Sequence, residues 1–332
     1  MKPYPLVFSS MLLEKVWGGS AIELMKGLEH SQKPIGESWE IYYENIIANG
    51  EFSGRTLQSV IAEFPQEMIG QHSSNGEYPL LVKFLDAREW LSVQVHPDDK
   101  KAEELEQQSR GKTECWYILN AEPDAKIQYG FKHGTTLDEY AESISKNQDT
   151  ELLAFHTVKK GDFIFVPAGA VHAIGPGITL YELQQTSDIT YRLYDWGRMG
   201  LDGKPRELHT EKGLLCSDTT AALNIVSPEN KQLNKGEFAV LNILDAQYFS
   251  LHKIALHGAE YEVSLQNKAG LITNIGLESV QCFGDFGCLN LNPGTTCFLP
   301  SALDMVRIQA ADEHYAELLF AQENQPKVSS IP

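Results

Sequence analysis

The chain has 332 residues, of which 42% are hydrophobic and 22% are charged, a length and composition that predict a globular protein of about two domains. Acidic residues outnumber basic residues by 45 to 27, so the net charge is −18, which argues against a nucleic acid as partner because like charges repel. No apolar run approaches the roughly 18 residues of a membrane span and no secretory leader is recognisable, so we expect a cytoplasmic protein without a membrane anchor.

Helical periodicity is confined to three segments. In residues 56–64, apolar side chains recur at the i, i+3, i+4 and i+7 positions of one helix face. Residues 98–108 are so rich in charge that a helix there must lie on the surface. Residues 136–146 open with a capping box of Thr136 and Glu139, which predicts a helix start. Short β-rich runs with glycine and proline fill the rest, which favours a mainly β barrel with helical insertions over a βαβ sheet.

Two familiar kinds of site are missing from the sequence. There is no Rossmann glycine fingerprint, and the RGKT at 110–113 lacks the earlier glycine of a phosphate-binding P-loop, where Glu106 stands instead. The five cysteines form an odd set without CxxC spacing, which argues against a disulfide framework and against a cysteine zinc site. We therefore expect reduced cysteines that serve as packing residues.

The second half of the sequence repeats part of the first. Setting VKKGDFIFVPAGAVHAI (158–174) over LNPGTTCFLPSALDMVRI (from 291) aligns Gly161 with Gly294, Phe165 with Phe298, and Pro167 with Pro300. The match predicts two copies of one small barrel, with a boundary in the polar, turn-rich stretch of residues 215–237. We expect a catalytic domain over residues 1–225 and a degenerate second barrel over 226–332. The second copy would lack metal ligands, because His172 falls opposite Met305.

Polar and apolar side chains alternate in the segment LSVQVHPDD, residues 91–99. Because alternate side chains of a strand share a face, Gln94 and His96 converge on one point if that face lines a barrel. Glu114 in TECWYIL and His172 at the end of GDFIFVPAGAVH are the predicted partners. Two imidazoles, a carboxylate and an amide oxygen suit a divalent metal ion, with zinc favoured and one position open for water or substrate. Taken singly, a histidine beside a strand is more often a packing or surface residue.

The string G-x5-P-x-G-x2-H that ends at His172 resembles the second conserved motif of the cupin superfamily, whose small barrels hold a metal ion. A fuller match extends over five blocks in the same order: IGESWE (35–40), FLDAREWLSVQVHPDD (84–99), GKTECWYIL (111–119), GDFIFVPAGAVHAIG (161–175) and YELQQTSDITYRLYDWGR (181–198). These blocks resemble class I mannose-6-phosphate isomerases, particularly the short bacterial form. The resemblance implies a mainly β fold of two cupin-type jelly-roll barrels, with helical insertions in the N-terminal half. It also implies one zinc ion, held by Gln94, His96, Glu114 and His172, and interconversion of mannose 6-phosphate and fructose 6-phosphate through an enediol.

The same resemblance implies roles for residues around the metal. Arg192, in TYRLYDW, matches the family's active-site arginine and would stabilise the developing oxyanion; the structural alternative is a surface salt bridge. Glu182 occupies the family position for proton transfer. Lys132, in GFKHG, would act near the substrate or bind its phosphate, or be a solvated loop lysine. Arg198 and Ser38 are further candidates for phosphate binding, and Arg198 also fits a structural ion pair.

Two other classes of function stay open. Iron in the same barrel would make a cupin dioxygenase, although Gln94 in place of the usual first histidine favours a redox-silent Lewis acid. A barrel without turnover would be a sugar-phosphate sensor. For the isomerase and for the sensor, the expected partner is a small phosphorylated sugar, and we expect a monomer or a homodimer.

Overall fold

The computed structural model describes residues 2–70, 77–146, 150–228, 232–311 and 313–324, and strands dominate these ranges. Up to residue 228 the strands are β1 (Leu6–Val7), β2 (Met11–Gly19), β3 (Ile35–Ile41), β4 (Leu80–Ala87), β5 (Val93–Val95), β6 (Glu114–Ala121), β7 (Lys126–Phe131), β8 (Leu153–Thr157), β9 (Phe163–Val166), β10 (His172–Ile174), β11 (Ile178–Gln185), β12 (Tyr191–Tyr194) and β13 (Ile225–Val226). From residue 232 they are β14 (Glu237–Asp245), β15 (Phe249–His257), β16 (Glu260–Ser264), β17 (Gly270–Asn274), β18 (Val280–Gly284), β19 (Gly287–Leu291), β20 (Thr296–Leu299), β21 (Met305–Ala310) and β22 (Tyr315–Glu323). The helices are α1 (Ala21–Met25), α2 (Leu57–Glu63), α3 (Pro65–Ile69), α4 (Asp99–Glu106), α5 (Leu137–Ser145) and α6 (Thr210–Cys216), and a short 3₁₀ turn spans Ser301–Leu303.

The three predicted helices are confirmed as α2, α4 and α5, and each begins where a side chain caps it. Asp98 accepts a hydrogen bond from the backbone N–H of Lys101 at 2.8 Å, and the capping box of Thr136 and Glu139 is formed in both directions. The helix α2 ends one residue earlier than its apolar stripe, because Pro65 opens α3 and disfavours helical geometry in the residue before it. In the described ranges, no helix is both long enough and apolar enough to cross a bilayer.

The strands form two barrels, each built from two antiparallel sheets around its own apolar core. In the first barrel, a sheet of order β13-β9-β6-β11-β4-β2-β3 faces a sheet of order β12-β5-β10-β7-β8. In the second, β1-β20-β17-β22-β15-β14 faces β16-β21-β18-β19. The prediction of a mainly β fold of two such barrels is confirmed, and the six α-helices of the described residues all lie within residues 21–216.

The strand orders also confirm the internal repeat. The run β20-β17-β22-β15 has the order of β9-β6-β11-β4, and β16-β21-β18-β19 has that of β5-β10-β7-β8. His172 and Met305 are the first residues of the corresponding strands β10 and β21. Gly161 and Gly294 both take the positive φ values that favour glycine, +89° and +67°.

The chain passes from the first barrel to the second between β13, which pairs with β9, and β14, which pairs with β15. One short segment lies outside this sequential order. Strand β1, near the start of the chain, pairs with β20 and so belongs to a sheet of the second barrel.

The central sheet of the first barrel is buried on both faces. Trp116 and Ile118 of β6 face the core of the first barrel, whereas the intervening Tyr117 joins a second apolar cluster. That cluster includes Phe249 and Leu319 of the second barrel. The second barrel therefore covers the back of the sheet that carries much of the site described below, which makes every residue of β4 and β11 buried.

All five cysteines are free, as predicted. Four of them are buried, which agrees with a packing role. The prediction is wrong for Cys288, which is exposed because it lies in β19, a strand at the edge of its sheet.

Candidate metal centre and active site

Strand pairing brings the four candidate ligands to one place inside the first barrel. His172, at the start of β10, is in register with Gln94 of β5, so their side chains share a face. His96 follows β5 directly, and Glu114 is the first residue of β6 in the facing sheet. The group therefore spans the barrel interior from one sheet to the other.

Distances and burial define a compact ligand cluster. Glu114 approaches both imidazoles, with Oε2 at 3.6 Å from His96 Nε2 and Oε1 at 3.4 Å from His172 Nε2. These three residues can place one ligand atom each within 4.8 Å of one another. The amide of Gln94 lies 3.4 Å from His172 Nε2, and a half-turn of that amide directs its oxygen to the cluster. His96, Glu114 and His172 are at most 2% exposed.

Backbone carbonyls determine which nitrogen of each imidazole faces the cluster. His96 Nδ1 lies 2.8 Å from the carbonyl of Ile189, and His172 Nδ1 lies 2.9 Å from that of Ala170. Since a carbonyl only accepts, both Nδ1 atoms carry the hydrogen and both Nε2 atoms present a lone pair. His96 Nε2 is buried and has no hydrogen-bond partner within the described parts of the chain, which is costly unless another ligand is bound.

The ionisation of the imidazoles also suits metal binding. Burial lowers the pKa of His172 to about 4. Burial, reinforced by the nearby Lys112 ammonium, lowers the pKa of His96 well below its ordinary value. Both rings are therefore neutral at physiological pH, the form that coordinates metals. Two neutral imidazoles with a carboxylate and an amide fit a borderline divalent ion.

A second group of charges adjoins the ligands. Lys112 Nζ lies 2.8 Å from Glu114 Oε2 and 4.0 Å from Glu182 Oε1. Lys83 Nζ lies 3.8 Å from the same Glu182 oxygen. The indole N–H of Trp116 is shared between Glu114 Oε1 and Glu182 Oε2, at 3.1 Å from each. Glu182 is thereby held beside the candidate metal ligands by one neutral donor and two lysines.

Burial and charge have opposite effects within this group. Burial raises the pKa of Glu182, and so does the Glu114 carboxylate, while Lys112 and Lys83 work against the rise. For Lys112, burial alone would lower the pKa, but Glu114 and Glu182 outweigh it and raise the value to about 12. Burial is the largest effect on Lys83 and lowers its pKa. The result is a permanent cation, Lys112, beside a carboxylate that is more basic than usual.

One wall of the site carries a further acid, the half-buried Glu37 of β3. Its Oε2 accepts a hydrogen bond from the Trp39 indole N–H at 2.7 Å, and its Oε1 lies 3.0 Å from Lys15 Nζ. Burial would raise the pKa of Glu37, but Lys83 and Lys15 outweigh it and lower the value to about 2. This wall therefore stays negatively charged at any physiological pH.

Sequence reasoning missed Lys112, Lys83 and Glu37. The available signal for Lys112 was its place two residues before Glu114, with Trp116 two residues further on, which is the spacing of one strand face. Lys83 gave no such signal, because its relevance comes from its pairing with Glu182 across β4 and β11.

Of the predicted residues, Arg192 starts beside this site, whereas Ser38 projects from the opposite face of β3 to Glu37 and pairs with Phe84 of the other apolar cluster. Arg192 is in register with Gln94 on the neighbouring strand β12, so its side chain starts on the same face of the sheet. Its Nη1 donates to the carbonyl of Glu207 at 2.7 Å. Ser38 is buried in β3, and its hydroxyl donates to Glu40 Oε1 at 2.5 Å.

The two other predicted residues make different contacts. Arg198 Nη2 lies 2.8 Å from Asp195 Oδ1, and its Nη1 donates to the carbonyl of Trp90. Lys132 is exposed just after β7, and its ammonium donates to the carbonyl of Glu151 at 2.6 Å. The contacts of these two side chains are thus with residues outside the buried cluster.

Comparison with known proteins gives consistent matches over nearly the whole chain. Residues 6–115 match a family model described as phosphomannose isomerase type I, catalytic domain. The chain is 36% identical over 325 residues to the mannose-6-phosphate isomerase ManA of Bacillus subtilis, which covers 97% of this chain and 99% of that protein. It is 37% identical over 259 residues to the mannose-6-phosphate isomerase of Streptococcus mutans, covering 77% of this chain and 80% of that one.

Solved structures with the same architecture accompany these relatives. The crystal structure of the mannose 6-phosphate isomerase from Bacillus subtilis superposes with a TM-score of 0.85 at 31% identity, covering 96% of this chain and 99% of that chain. The structure of a putative mannosephosphate isomerase from Archaeoglobus fulgidus has a TM-score of 0.75 at 21% identity, covering 98% and 99%. At 21% identity, the similarity to the Archaeoglobus fulgidus structure is evidence for the fold alone.

Proposed function

The chain belongs to the type I mannose-6-phosphate isomerase family, and on that premise we propose that it interconverts mannose 6-phosphate and fructose 6-phosphate with a zinc ion as cofactor. The observation that carries the proposal is the buried cluster of His96, Glu114 and His172, with an unpartnered imidazole nitrogen at its centre. Such a cluster would be a net cost to folding unless it served to bind an ion.

Gln94, His96, Glu114 and His172 would hold the metal. A zinc ion bound by them would polarise the C1 or C2 oxygen of the sugar, as a Lewis acid does. The hydrogen bonds from His96 and His172 to backbone carbonyls support this assignment, because they fix the ring orientations before the ion binds.

Glu182 is the proposed group for proton transfer between C1 and C2. Isomerisation of an aldose to a ketose removes a proton from one carbon and returns one to the other, by way of an enediol. A carboxylate whose pKa is raised toward the working pH is a better base than an ordinary one. The hydrogen bond from Trp116 would keep the Glu182 carboxylate oriented while it carries the proton.

Cations beside the ligand cluster would stabilise the negative charge that develops on the sugar oxygens. Lys112 is the first candidate, since it is charged and lies between Glu114 and Glu182. Arg192 is the second, because it starts on the same sheet face as Gln94. For the phosphate, the exposed Lys132 and the half-buried Arg198 stay candidate contacts. Ser38 is the weakest candidate, because it projects from the other face of β3 and donates to Glu40.

The first experiment is a coupled assay for fructose 6-phosphate formed from mannose 6-phosphate. It compares the purified protein, protein stripped with a chelator, and stripped protein given back zinc. Turnover that disappears with the metal and returns with zinc supports the proposal. Binding of the sugar phosphate by zinc-loaded, folded protein without turnover would replace the isomerase with a sensor, and oxygen uptake with bound iron would replace it with a dioxygenase.

A single substitution separates the base from the metal site. Glu182→Gln keeps the shape of the side chain but removes its basicity, so turnover should fall by about 100-fold or more. The matched control is zinc content, which should stay at that of the parent protein. Near-full turnover by this variant would contradict the role of Glu182.

The same proposal extends to the domains, the location and the oligomeric state of the protein. We assign catalysis to residues 1–225 and treat residues 226–332 as a second, degenerate barrel without metal ligands. Similarity to mannose-6-phosphate isomerases supports a small phosphorylated sugar as partner, and we propose that the protein acts in the cytoplasm as a monomer or a homodimer. Light scattering coupled to size-exclusion chromatography distinguishes the two oligomeric states.

A further inference from the structure

The second barrel contains a cleft at the place that corresponds to the metal centre of the first. Strands β16 and β21 correspond to β5 and β10 of the first barrel, and their buried residues Val263 and Val306 pair with each other in the core of the second barrel. The pairing of His252 with Phe320 across β15 and β22 corresponds in the same way to that of Lys83 with Glu182. Ser264, His252 and Phe320 all line the cleft.

The cleft is open because the second barrel lacks a strand that the first one has. In the first barrel, β12 lies outside β5, whereas no strand in the described residues lies outside the corresponding β16. The cleft has a volume of about 410 Å³, which is within the range of small-molecule sites. It is lined from one side by β14 and from the other by β16.

The described lining of this cleft does not form a metal site. The position of Glu114 is taken by Gly270, since Glu114 pairs with Gln184 and Gly270 with the corresponding Gln322. Among the described residues, the only cluster of three or more potential metal ligands is that of the first barrel. A ligand of the cleft must therefore be recognised by hydrogen bonds and packing alone.

The lining is polar and of mixed type. Amides and hydroxyls line the cleft from four strands and from the segments that follow β16 and β22, namely Asn242, Ser250, Ser264, Gln266, Gln322 and Asn324. These groups donate and accept hydrogen bonds, as a polyhydroxyl ligand requires. The rings of Tyr261 and Phe320 lie among them and offer the flat apolar surfaces on which the C–H face of a sugar ring can pack.

The charges in the cleft argue against a phosphate. Asp245 and Glu262 line it with Lys268 as the only lysine or arginine among the described lining residues. Burial lowers the pKa of His252, so that ring is neutral at physiological pH. A dianionic group would meet a net negative surface, whereas a neutral ligand meets no such penalty.

One atom of the lining lacks a partner. His252 Nδ1 is buried and forms no hydrogen bond within the described part of the chain. His257, the other histidine of β15, does not share this feature, since its Nδ1 lies 3.1 Å from the carbonyl of Leu233. A hydroxyl of a bound ligand would satisfy His252.

We propose that this cleft is a second, metal-independent binding site whose ligand is a neutral hexose ring. The site differs from the catalytic one in lacking both the metal ligands and the buried lysine pair, so it binds a sugar without converting it. The assignment holds whether or not the first barrel is an isomerase, because it rests on the lining of the second barrel alone.

The test is a titration of the full-length, zinc-loaded protein with methyl α-mannopyranoside, followed by saturation-transfer difference NMR. This probe is neutral and cannot open to the aldose, so it is not a substrate. A saturating equilibrium mixture of mannose 6-phosphate and fructose 6-phosphate is present to block the first barrel. Two variants fill the cleft from opposite walls, Asn242→Trp and Ser264→Tyr, and both positions are exposed and therefore tolerant of larger side chains.

Saturable binding that persists with the hexose phosphates present, and that weakens by about tenfold or more in both variants, is the expected result. Turnover of mannose 6-phosphate should be unchanged in the same variants. Binding that is displaced by the hexose phosphates, or that both folded variants retain at full strength, would overturn the proposal. So would the failure of the probe to bind at all.

Discussion

Replacing Trp116 with phenylalanine would remove one N–H group from the centre of the site and keep an aromatic ring in its place. Trp116 is fully buried, and its Nε1 lies 3.1 Å from Glu114 Oε1 and 3.1 Å from Glu182 Oε2. The single hydrogen is therefore shared between a proposed metal ligand and the proposed base. Without it, both carboxylates lose a donor that restrains their orientation.

The size of the effect follows from the charge of the acceptors. A hydrogen bond to an ionised group contributes about 1.5–3 kcal/mol, and each 1.4 kcal/mol corresponds to about a tenfold change in an equilibrium constant. Because Glu114 is a proposed zinc ligand, loss of the hydrogen bond that orients it should lower zinc affinity by about 10- to 100-fold, as for other groups that orient metal ligands. Turnover should fall as well, because Glu182 loses the same donor.

The assay is competition for zinc between the protein and a chelating dye, read by absorbance. Trp17→Phe is the matched control, since Trp17 is a buried tryptophan of the same apolar cluster and its replacement leaves a similar volume empty. Both variants should lose stability through packing, but only Trp116→Phe should lose zinc affinity. Equal zinc affinities in the two variants would refute the role assigned to the Trp116 N–H group.

Three further substitutions test the electrostatics and the contact between the barrels. The pKa of Glu37 is lowered from 4.5 to about 2, so its ionised form contributes stability that is complete above about pH 5 and is lost as the pH falls from 4.5 to 2. Glu37→Gln should therefore cost up to about 3 kcal/mol at neutral pH, and the urea unfolding free energies of the two proteins should converge near pH 2; a constant difference would contradict this. Lys26→Met removes one partner of a buried ion pair, since Lys26 Nζ lies 2.8 Å from Glu40 Oε2 and also donates to a carbonyl of the second barrel. The free energy of unfolding in urea should fall by about 3–5 kcal/mol. Adding Glu40→Gln should recover part of this loss, because the unpaired charge is then removed. Gly70 has a φ of +75°, and a Cβ there would lie 2.2 Å from a carbonyl of the second barrel. Gly70→Ala should therefore lower the melting temperature much more than the control Gly54→Ala does. At Gly54 φ is also positive, but no atom lies close enough to contact a Cβ. Equal melting temperatures for the two glycine variants would show that the barrels do not meet closely there.

The sequence alone was sufficient for features that depend on neighbours along the chain. The capping box of Thr136 and Glu139 closes within one turn, so its residues predict the helix start without knowledge of the rest of the fold. The same holds for the convergence of Gln94 and His96, which follows from strand alternation. Their partners Glu114 and His172 were predicted from motifs rather than from local geometry. The four residues lie together in the first barrel. The roles of these residues stay a prediction that the zinc assay tests.

Tertiary structure decided which charged groups join the site. Lys83 and Glu182 lie on β4 and β11, and Lys112 lies two residues before β6. Only the register of β4, β11 and β6 brings the three within 4.0 Å. Their ionisation depends on burial, which the second barrel completes by covering the back of the central sheet. The cleft of the second barrel depends in the same way on a strand that one copy of the repeat has and the other lacks. The sequence by itself therefore determined the family and the candidate metal ligands, because these reside in short patterns. The fold determined the charge network and the second cleft, because Coulomb interactions and desolvation depend on distances between residues that are remote along the chain.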